Sequence, residues 1–558
     1  MQKIRIAALG GLDENGKNMY IIEIDDDIFL VEAGLKYSES FQLGVEYIIP
    51  DFTYLKDHKD NIKGLFITHA HDDVMMALPH LLDIVDVPIY TTALTAKIIK
   101  NVLKIDNHIN IMTRNDSVVV DGHKIYSFPV MQSIADGIGL VFDTDQGLII
   151  YSGEFMVDYD FSNPNFSMDL NILTKLTSEK RVLCLLSESS GAKKPGYTSP
   201  KHRITDHIEQ YFENAEHRII VSIYKQNLFR VIELLELAKK YRKQIFFYNE
   251  DHLKELKLVN ELGYYKLPLS LIVDKHNFDN NVDDCLCIVS DSGNKVFKLM
   301  NRIAVNEDPL LKLRSDDTVV IASPIVPGTE KDAANMENDL YKADVKVHKL
   351  SSKDVLSMHA SKEDLKMMIY LVKPKYYLPI KGDYSELLEN ADIAVEMGYT
   401  PDKIIILDNG QFASFDKEKL ISTKDTFEIK DTLIDGSDSS EVASIVLQDR
   451  ETLSTDGVII VGVVIDFKTK KLIGGPDVQS RGVIYLKDAE DILKKIGNIL
   501  IECIQTNVKN KSYNNLQTRG EARDKISQYV FKETGKKPMI LPAIVEMNSE
   551  NENGKENN

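Results

Sequence analysis

Tryptophan is absent from the 558 residues, and cysteine occurs only four times, as Cys184, Cys285, Cys287 and Cys503. So few cysteines exclude a disulfide framework and fit a reducing compartment. Cys285 and Cys287 form a C-x-C in the apolar run DDCLCIVS. Alternation along a strand puts both on one face, as buried reduced thiols. No apolar run approaches the roughly 20 residues that span a bilayer, and the N-terminus MQKIRIAALGGLDENG carries no signal pattern. The reading is a cytoplasmic protein with no membrane partner. No block of Lys or Arg offsets the net charge of −19. Such a chain repels nucleic acid on average, so any it binds must enter a local basic channel.

What is present is the composition of a packed globular chain, 43% hydrophobic and 27% charged. At roughly 100–200 residues per domain, its length suggests three or more domains. Residues 3–9 and 19–32 read as strands around the loop GGLDENGKN, and strand signals recur at 86–91, 117–130 and 138–151. KGLFITHAHDD reads as a buried strand ending in a polar loop, followed by VMMALPHLLDIV with helical period. After residue 200, helical and strand patterns alternate to about 350, as in a parallel-sheet unit. A further strand–helix stretch covers 360–410. KDTLIDGSDSSE reads as a linker. EVASIVLQDRETLSTDGVIIVGVVID looks like strand, turn, strand, and 487–508 like an amphipathic helix with apolar positions Ile492, Leu493, Ile496, Ile499 and Leu500. The tail SENENGKENN is too polar to order itself.

The strongest chemical signal is HAHDDV at 69–74. His69 and His71 alternate with Ala70 and precede Asp72 and Asp73, at the end of a buried strand. Two imidazoles and a carboxylate in one tight loop can converge on a zinc or manganese ion.

On this motif the chain resembles the metallo-β-lactamase superfamily, whose signature is His-x-His-x-Asp-His. LLSESSGAKKPGYT (185–198) is similar to the element that opens the β-CASP insert. SPIVPGTE (323–330), KPKYYLPIKGDY (373–384), IDGSDSSEVASIVLQDRETLSTDG (434–457) and GGPDVQSRGVIY (474–485) are similar to ribonuclease J segments. The resemblance spans nearly the whole chain and is closest to the second, degenerate ribonuclease J paralogue of Firmicutes. It implies an α/β fold: a metallo-β-lactamase αββα sandwich with an inserted β-CASP domain and a small C-terminal α/β domain. The expected boundaries are 1–205 and 351–430 for the two parts of the lactamase domain, 206–350 for β-CASP, 431–441 for the linker, 442–547 for a C-terminal oligomerisation domain and 548–558 for a disordered tail. It also implies 5′→3′ exonuclease and endonuclease action on RNA in messenger decay and ribosomal RNA maturation, with two active-site metals, and assembly with an active paralogue as well as with itself.

Carried over residue by residue, the site departs from the family. His69 and His71 match the first-metal imidazoles, but Gln132 in MQSIAD stands at the third histidine, and Glu154 in YSGEF at the bridging aspartate. Asp73 matches the signature aspartate. Val74 replaces the signature's last histidine, and Lys381 in PIKG replaces the other second-metal histidine. The family's His-x-Ser-Gly-His is shortened to His359-Ala360-Ser361, its Gly-Ser-Gln-Gly-Glu loop is replaced by VSDSGNKVF (289–297), and Phe229 stands at an RNA-side histidine beside a retained Arg230. The expectation is at most one divalent metal, manganese or zinc, weakly held, and a weak reaction with Asp73 and Glu188 as catalytic carboxylates. Three roles stay open. Lys381 either pairs with Asp73 and Glu154 or reaches solvent. Ser361 caps a helix, contacts RNA phosphate with His359 and Ala360, or does both. Glu188 acts in the site or bonds locally. Glu32 orders the ligand loop from behind. A non-catalytic RNA-binding scaffold is the competing function.

Overall fold

The computed structural model describes residues 2–548 apart from positions 39–41, 43, 107, 161, 214–216, 327, 436–439, 442–443 and 484–488. Most of the expected tail and the centre of the expected linker therefore lie outside the described residues.

The chain divides into two compact units, and the larger holds residues 1–38 and 46–432. Two sheets face each other in it. The first has eight strands, in the order Lys419–Ser422, Phe412–Asp416, Ile4–Gly10, Met19–Ile24, Asp27–Val31, Ile62–Ile67, Ile89–Thr91 and Ile109–Ile111. The second has six, in the order Tyr376–Ile380, Val182–Glu188, Gly147–Tyr151, Ile138–Thr144, His123–Pro129 and Ser117–Val120. Period-two alternation explains the pairing of faces. Ile4, Ile6, Ile22, Phe29 and Phe66 from the first sheet meet Ile125, Leu140, Phe142, Ile149 and Leu378 from the second in one core. Each such side chain, fully buried, contributes about 1.5–3 kcal/mol. The alternate residues Val141, Ile150, Leu185 and Tyr377 point the other way, onto the helices Asn171–Glu179, Lys362–Val372 and Tyr384–Glu396. This is the αββα layering.

Several stretches read as single elements are divided. The stretch 19–32 is two strands, because Asp25 takes a left-handed turn (φ 56°). The stretch 117–130 is also two, turning at Asp121-Gly122, where both residues have positive φ. Asp-Gly is a strong hairpin turn, and that signal was legible. VMMALPHLLDIV is not one helix but lies across two short ones, Asp72–Met75 and Leu78–Leu82. Ala33 and Leu35 take the carbonyls of Val74 and Asp72 at 2.7 and 3.0 Å, and Pro79 has no N–H to continue the ladder.

Between the adjacent strands Val182–Glu188 and Tyr376–Ile380 the chain builds a third, all-parallel sheet. Its order is Ile272–Val273, Gln244–Phe247, Cys285–Asp291, Ile219–Tyr224, Thr318–Ile321 and Lys346–Lys349. Cys285 and Cys287 point into its core with sulfurs 3.9 Å apart, as free thiols.

The second unit holds 39–45 and 433–558. Here Ser444–Thr455 is a helix, not the strand expected from its sequence. The central strand Val458–Asp466 pairs antiparallel with Leu472–Arg481 and parallel with Met539–Met547. Two helices contribute to the core, Ala489–Lys509 and a second that the sequence reading missed, Asn515–Thr534. Ile496, Ile499 and Leu500 are buried against Ile459, Val461 and Val463, so part of the apolar stripe covers the unit's own sheet.

Candidate active site

Four strands of the two-sheet sandwich end at one place. His69 and His71 follow Ile62–Ile67, Glu154 follows Gly147–Tyr151, Glu188 ends Val182–Glu188, and Lys381 follows Tyr376–Ile380. Functional groups collect at the carboxyl ends of parallel strands because the chain leaves the sheet there in loops. Gly34 admits the metal-type loop: a Cβ on it would lie 1.7 Å from the Asp73 carbonyl oxygen.

His69 is buried. Its Nδ1 lies 2.9 Å from the Thr68 hydroxyl, which donates to Glu32 at 2.5 Å. The hydroxyl proton is committed to Glu32, so Nδ1–H of His69 donates to Thr68 and Nε2 keeps its lone pair for the site. That Nε2 is buried without a hydrogen-bond partner. His71 is anchored from behind by Ser133, whose Oγ lies 3.1 Å from Nε2, and turns Nδ1 to Glu154 at 3.4 Å. His69 Nε2 lies 3.4 Å from the other Glu154 oxygen. One ligand atom each from His69, His71 and Glu154 falls within 4.8 Å of the other two. Both polar atoms of the buried Gln132 amide are also unpartnered. A divalent ion fits this half of the site: converging donors and unsatisfied buried nitrogens otherwise cost free energy.

The other half is different. Lys381, in a left-handed turn (φ 55°) and only 4% exposed, places its ammonium on Asp73 Oδ2 at 2.8 Å and in direct contact with Glu154 Oε1. Lys381 therefore pairs with both carboxylates, with only 5% of its side chain open to solvent. Asn18, whose importance the sequence did not announce, donates to the same Asp73 oxygen at 2.9 Å and to the Asp73 carbonyl at 3.0 Å. Asp72 turns away to accept from Tyr37, which leaves Asp73 as the carboxylate of the loop that faces Lys381. Val74 is buried and offers no donor.

Burial alone would raise the Asp73 carboxyl, but the Lys381 ammonium overrides it and holds Asp73 well below the usual carboxylate range. Burial lowers both imidazoles, His71 to about 4 and His69 well below its ordinary value, so they are neutral at ordinary pH. Burial lifts Glu32 to about 7.

His359 Nδ1 bonds Glu188 Oε2 at 2.8 Å, and its side chain is about a quarter exposed. Burial would lower this imidazole; Glu188 outweighs it and raises it. Glu188 is buried and also accepts from the backbone of Phe155 at 2.7 Å and Ala360 at 3.2 Å. Its bonds are thus local and hold His359. Ser361 is buried and caps Lys362–Val372 in a reciprocal box with Asp364. Ala360 is buried too, so His359 is the one exposed side chain of the three. Arg230, expected at the RNA, is 3% exposed, and its Nε and Nη2 donate to the carbonyls of His202 at 3.0 Å and of Leu356. Phe229 packs against Phe166 and His202, and its N–H donates to Ser133 O at 2.9 Å.

The sandwich, the inserted parallel sheet and the strand-end imidazoles define a metallo-β-lactamase-type hydrolase fold with a β-CASP insert. Family profiles match along the chain: the metallo-beta-lactamase superfamily over 12–148, the ribonuclease J beta-CASP domain over 216–340, the Zn-dependent metallo-hydrolase RNA specificity domain over 342–406, and the ribonuclease J C-terminal domain over 445–547. Ribonuclease J 2 of Staphylococcus aureus is 31% identical over 550 residues, 98% of each chain. Ribonuclease J 2 of Staphylococcus saprophyticus is 31% identical over 552 residues, covering 98% of this chain and 99% of that one. The chain belongs to the ribonuclease J family. A crystal structure of a protein of unknown function from Enterococcus faecalis V583 shares the fold, with a TM-score of 0.53 at 15% identity over 74% of this chain and all of the other. No described helix is long and apolar enough to cross a membrane.

Proposed function

We propose that this chain is a weak 5′→3′ exoribonuclease with endonuclease capacity, holding a single divalent ion and acting in RNA processing and decay mainly as the partner of an active paralogue. The carrying observation is the Lys381 ammonium on Asp73 and Glu154, the carboxylates a second ion would need. Two-metal phosphodiester hydrolysis uses one ion for the attacking oxygen and one for the leaving oxygen. His69, His71, Glu154 and the Gln132 amide would hold the single ion, which supplies Lewis-acid polarisation when bound. An amide oxygen in place of an imidazole favours manganese over zinc and a weak site. Asp73 keeps Oδ1 free of protein partners among the described residues and orients the attacking water there as a hydrogen-bond acceptor. Glu188 fixes His359 through Nδ1, leaving the exposed edge of the ring to meet the RNA phosphate.

The C-terminal unit supports the pairing role. On the sheet face opposite the helices Ala489–Lys509 and Asn515–Thr534, Ile460 and Leu541 are register partners, as are Val464 and Val545, and Met547 continues the row. Ile460, Leu541, Val545 and Met547 are about half exposed. Contiguous exposed apolar surface of this kind marks protein association, and the occupant proposed is the same domain of a second subunit, in the paralogue or in another copy. Metal content measured beside exonuclease rate on 5′-monophosphorylated RNA, on protein free of any paralogue, tests the catalytic half. One ion with a slow rate supports it, and no turnover at full metal occupancy favours the RNA-binding scaffold.

A further inference from the structure

The Lys381 ammonium has three N–H donors and two carboxylate partners. Among the described residues it is the one lysine or arginine paired with Asp73 or Glu154. Lys381, Asp73 and Glu154 together set one ammonium against two carboxylates, one net negative charge among the three. A divalent ion on His69, His71 and Glu154 turns that into one net positive charge. Without the ammonium, the same single ion would leave the cluster neutral. Lys381 therefore decides whether a singly loaded site attracts an anion, and its burial keeps that charge unscreened by solvent. The cluster opens to solvent through Asp73 and His359, each about a quarter exposed on its side chain.

We propose that Lys381 is the phosphate-binding residue of this site: its third N–H takes a non-bridging oxygen of the phosphodiester, and its fixed charge makes one metal ion sufficient for anion capture. This rests on the single-ion reading above and names the residue that recognises the substrate's phosphate. The ammonium cannot dissociate as an ion can, so phosphate affinity is set by one metal equilibrium and not two.

Calorimetry tests it on the manganese-loaded full chain, with inorganic phosphate and a phosphorothioate-linked 5′-phosphorylated oligoribonucleotide as probes. One charge-assisted hydrogen bond corresponds to about ten- to a hundredfold in affinity. Lys381→Met is expected to weaken both probes by that factor, Lys381→Arg to retain most of the affinity, and manganese content to stay at one ion per chain. Should Lys381→Met fold poorly from carboxylate repulsion, the double variant Asp73→Asn with Lys381→Met removes the repulsion, and the same loss is expected of it against Asp73→Asn alone. Oligonucleotide and phosphate affinities unchanged by the loss of Lys381 would overturn the inference while leaving the RNA-handling reading intact. Lysine-dependent phosphate binding with no oligonucleotide binding would support the anion site and sink the RNA-handling reading instead.

Discussion

The two halves of the site have opposite polar balances. On the His69–His71–Glu154 side, His69 Nε2 and both amide atoms of Gln132 are buried without partners. On the Asp73–Lys381 side, the ammonium is bonded to two carboxylates and Asn18 supports Asp73 from behind. A buried polar group without a partner is unstable unless a ligand satisfies it, whereas a buried charge already paired gains little from a further cation. The same protein fold thus leaves buried polar atoms unpartnered in one half and makes the other self-sufficient.

The largest effect is expected from breaking the self-sufficient half. Lys381→Met leaves Asp73 and Glu154 facing each other and should cost about 3–5 kcal/mol of stability in chelator, by the usual penalty for a broken buried pair. Denaturant unfolding measures it, and a loss below about 1 kcal/mol would mean that the pair is replaced by water. Removing the imidazoles should act the other way round. His69→Ala with His71→Ala should abolish metal retention in a desalted sample while assembly, followed by sedimentation, stays intact. Deleting residues 442–558 should do the reverse, losing co-sedimentation with a paralogous subunit and keeping the metal. If the truncated chain still associates, the open face of Ile460, Leu541 and Val545 is not the pairing surface.

Smaller effects sharpen the comparison. Asn18→Ala removes one bond to an ionised partner and should cost about 1.5–3 kcal/mol. Acid sensitivity gives a control outside both halves. His252 is buried with Nδ1 on Ser290, and burial, then Lys225, lowers it to about 3. Its unfolded value is about 6.5, so between those values the unfolded chain binds the extra proton and stability falls as pH falls. His252→Gln should flatten the unfolding free energy between about pH 6.5 and 3; an unchanged slope would assign the acid sensitivity to other groups.

How much of this the sequence carried depends on the range of the interaction. HAHDDV was legible because a buried apolar strand before two alternating histidines is a local pattern. The Lys381 alternatives stayed open because Lys381 meets Asp73 across 308 positions of chain. The surroundings of Arg230 were illegible for the same reason: the carbonyls its Nε and Nη2 meet belong to His202 and Leu356. Asn18, Ser133 and Thr68 carry no motif of their own, although Thr68 beside His69 could have been noticed. The Asp121-Gly122 turn was a local signal passed over, and the helix Ser444–Thr455 was read as strand despite its Leu, Gln, Arg and Glu, all good helix formers.

On the proposed reading, the site has room for one ion because Lys381 already fills the place of the other charge. Divalent-ion stoichiometry by calorimetry, on the native chain beside Lys381→His with Val74→His, tests it most directly. One weakly held ion is expected in the native chain, tighter with manganese than its ligand set allows for zinc, and a second ion only in the double variant. Two tightly bound zinc ions in the native chain would contradict it.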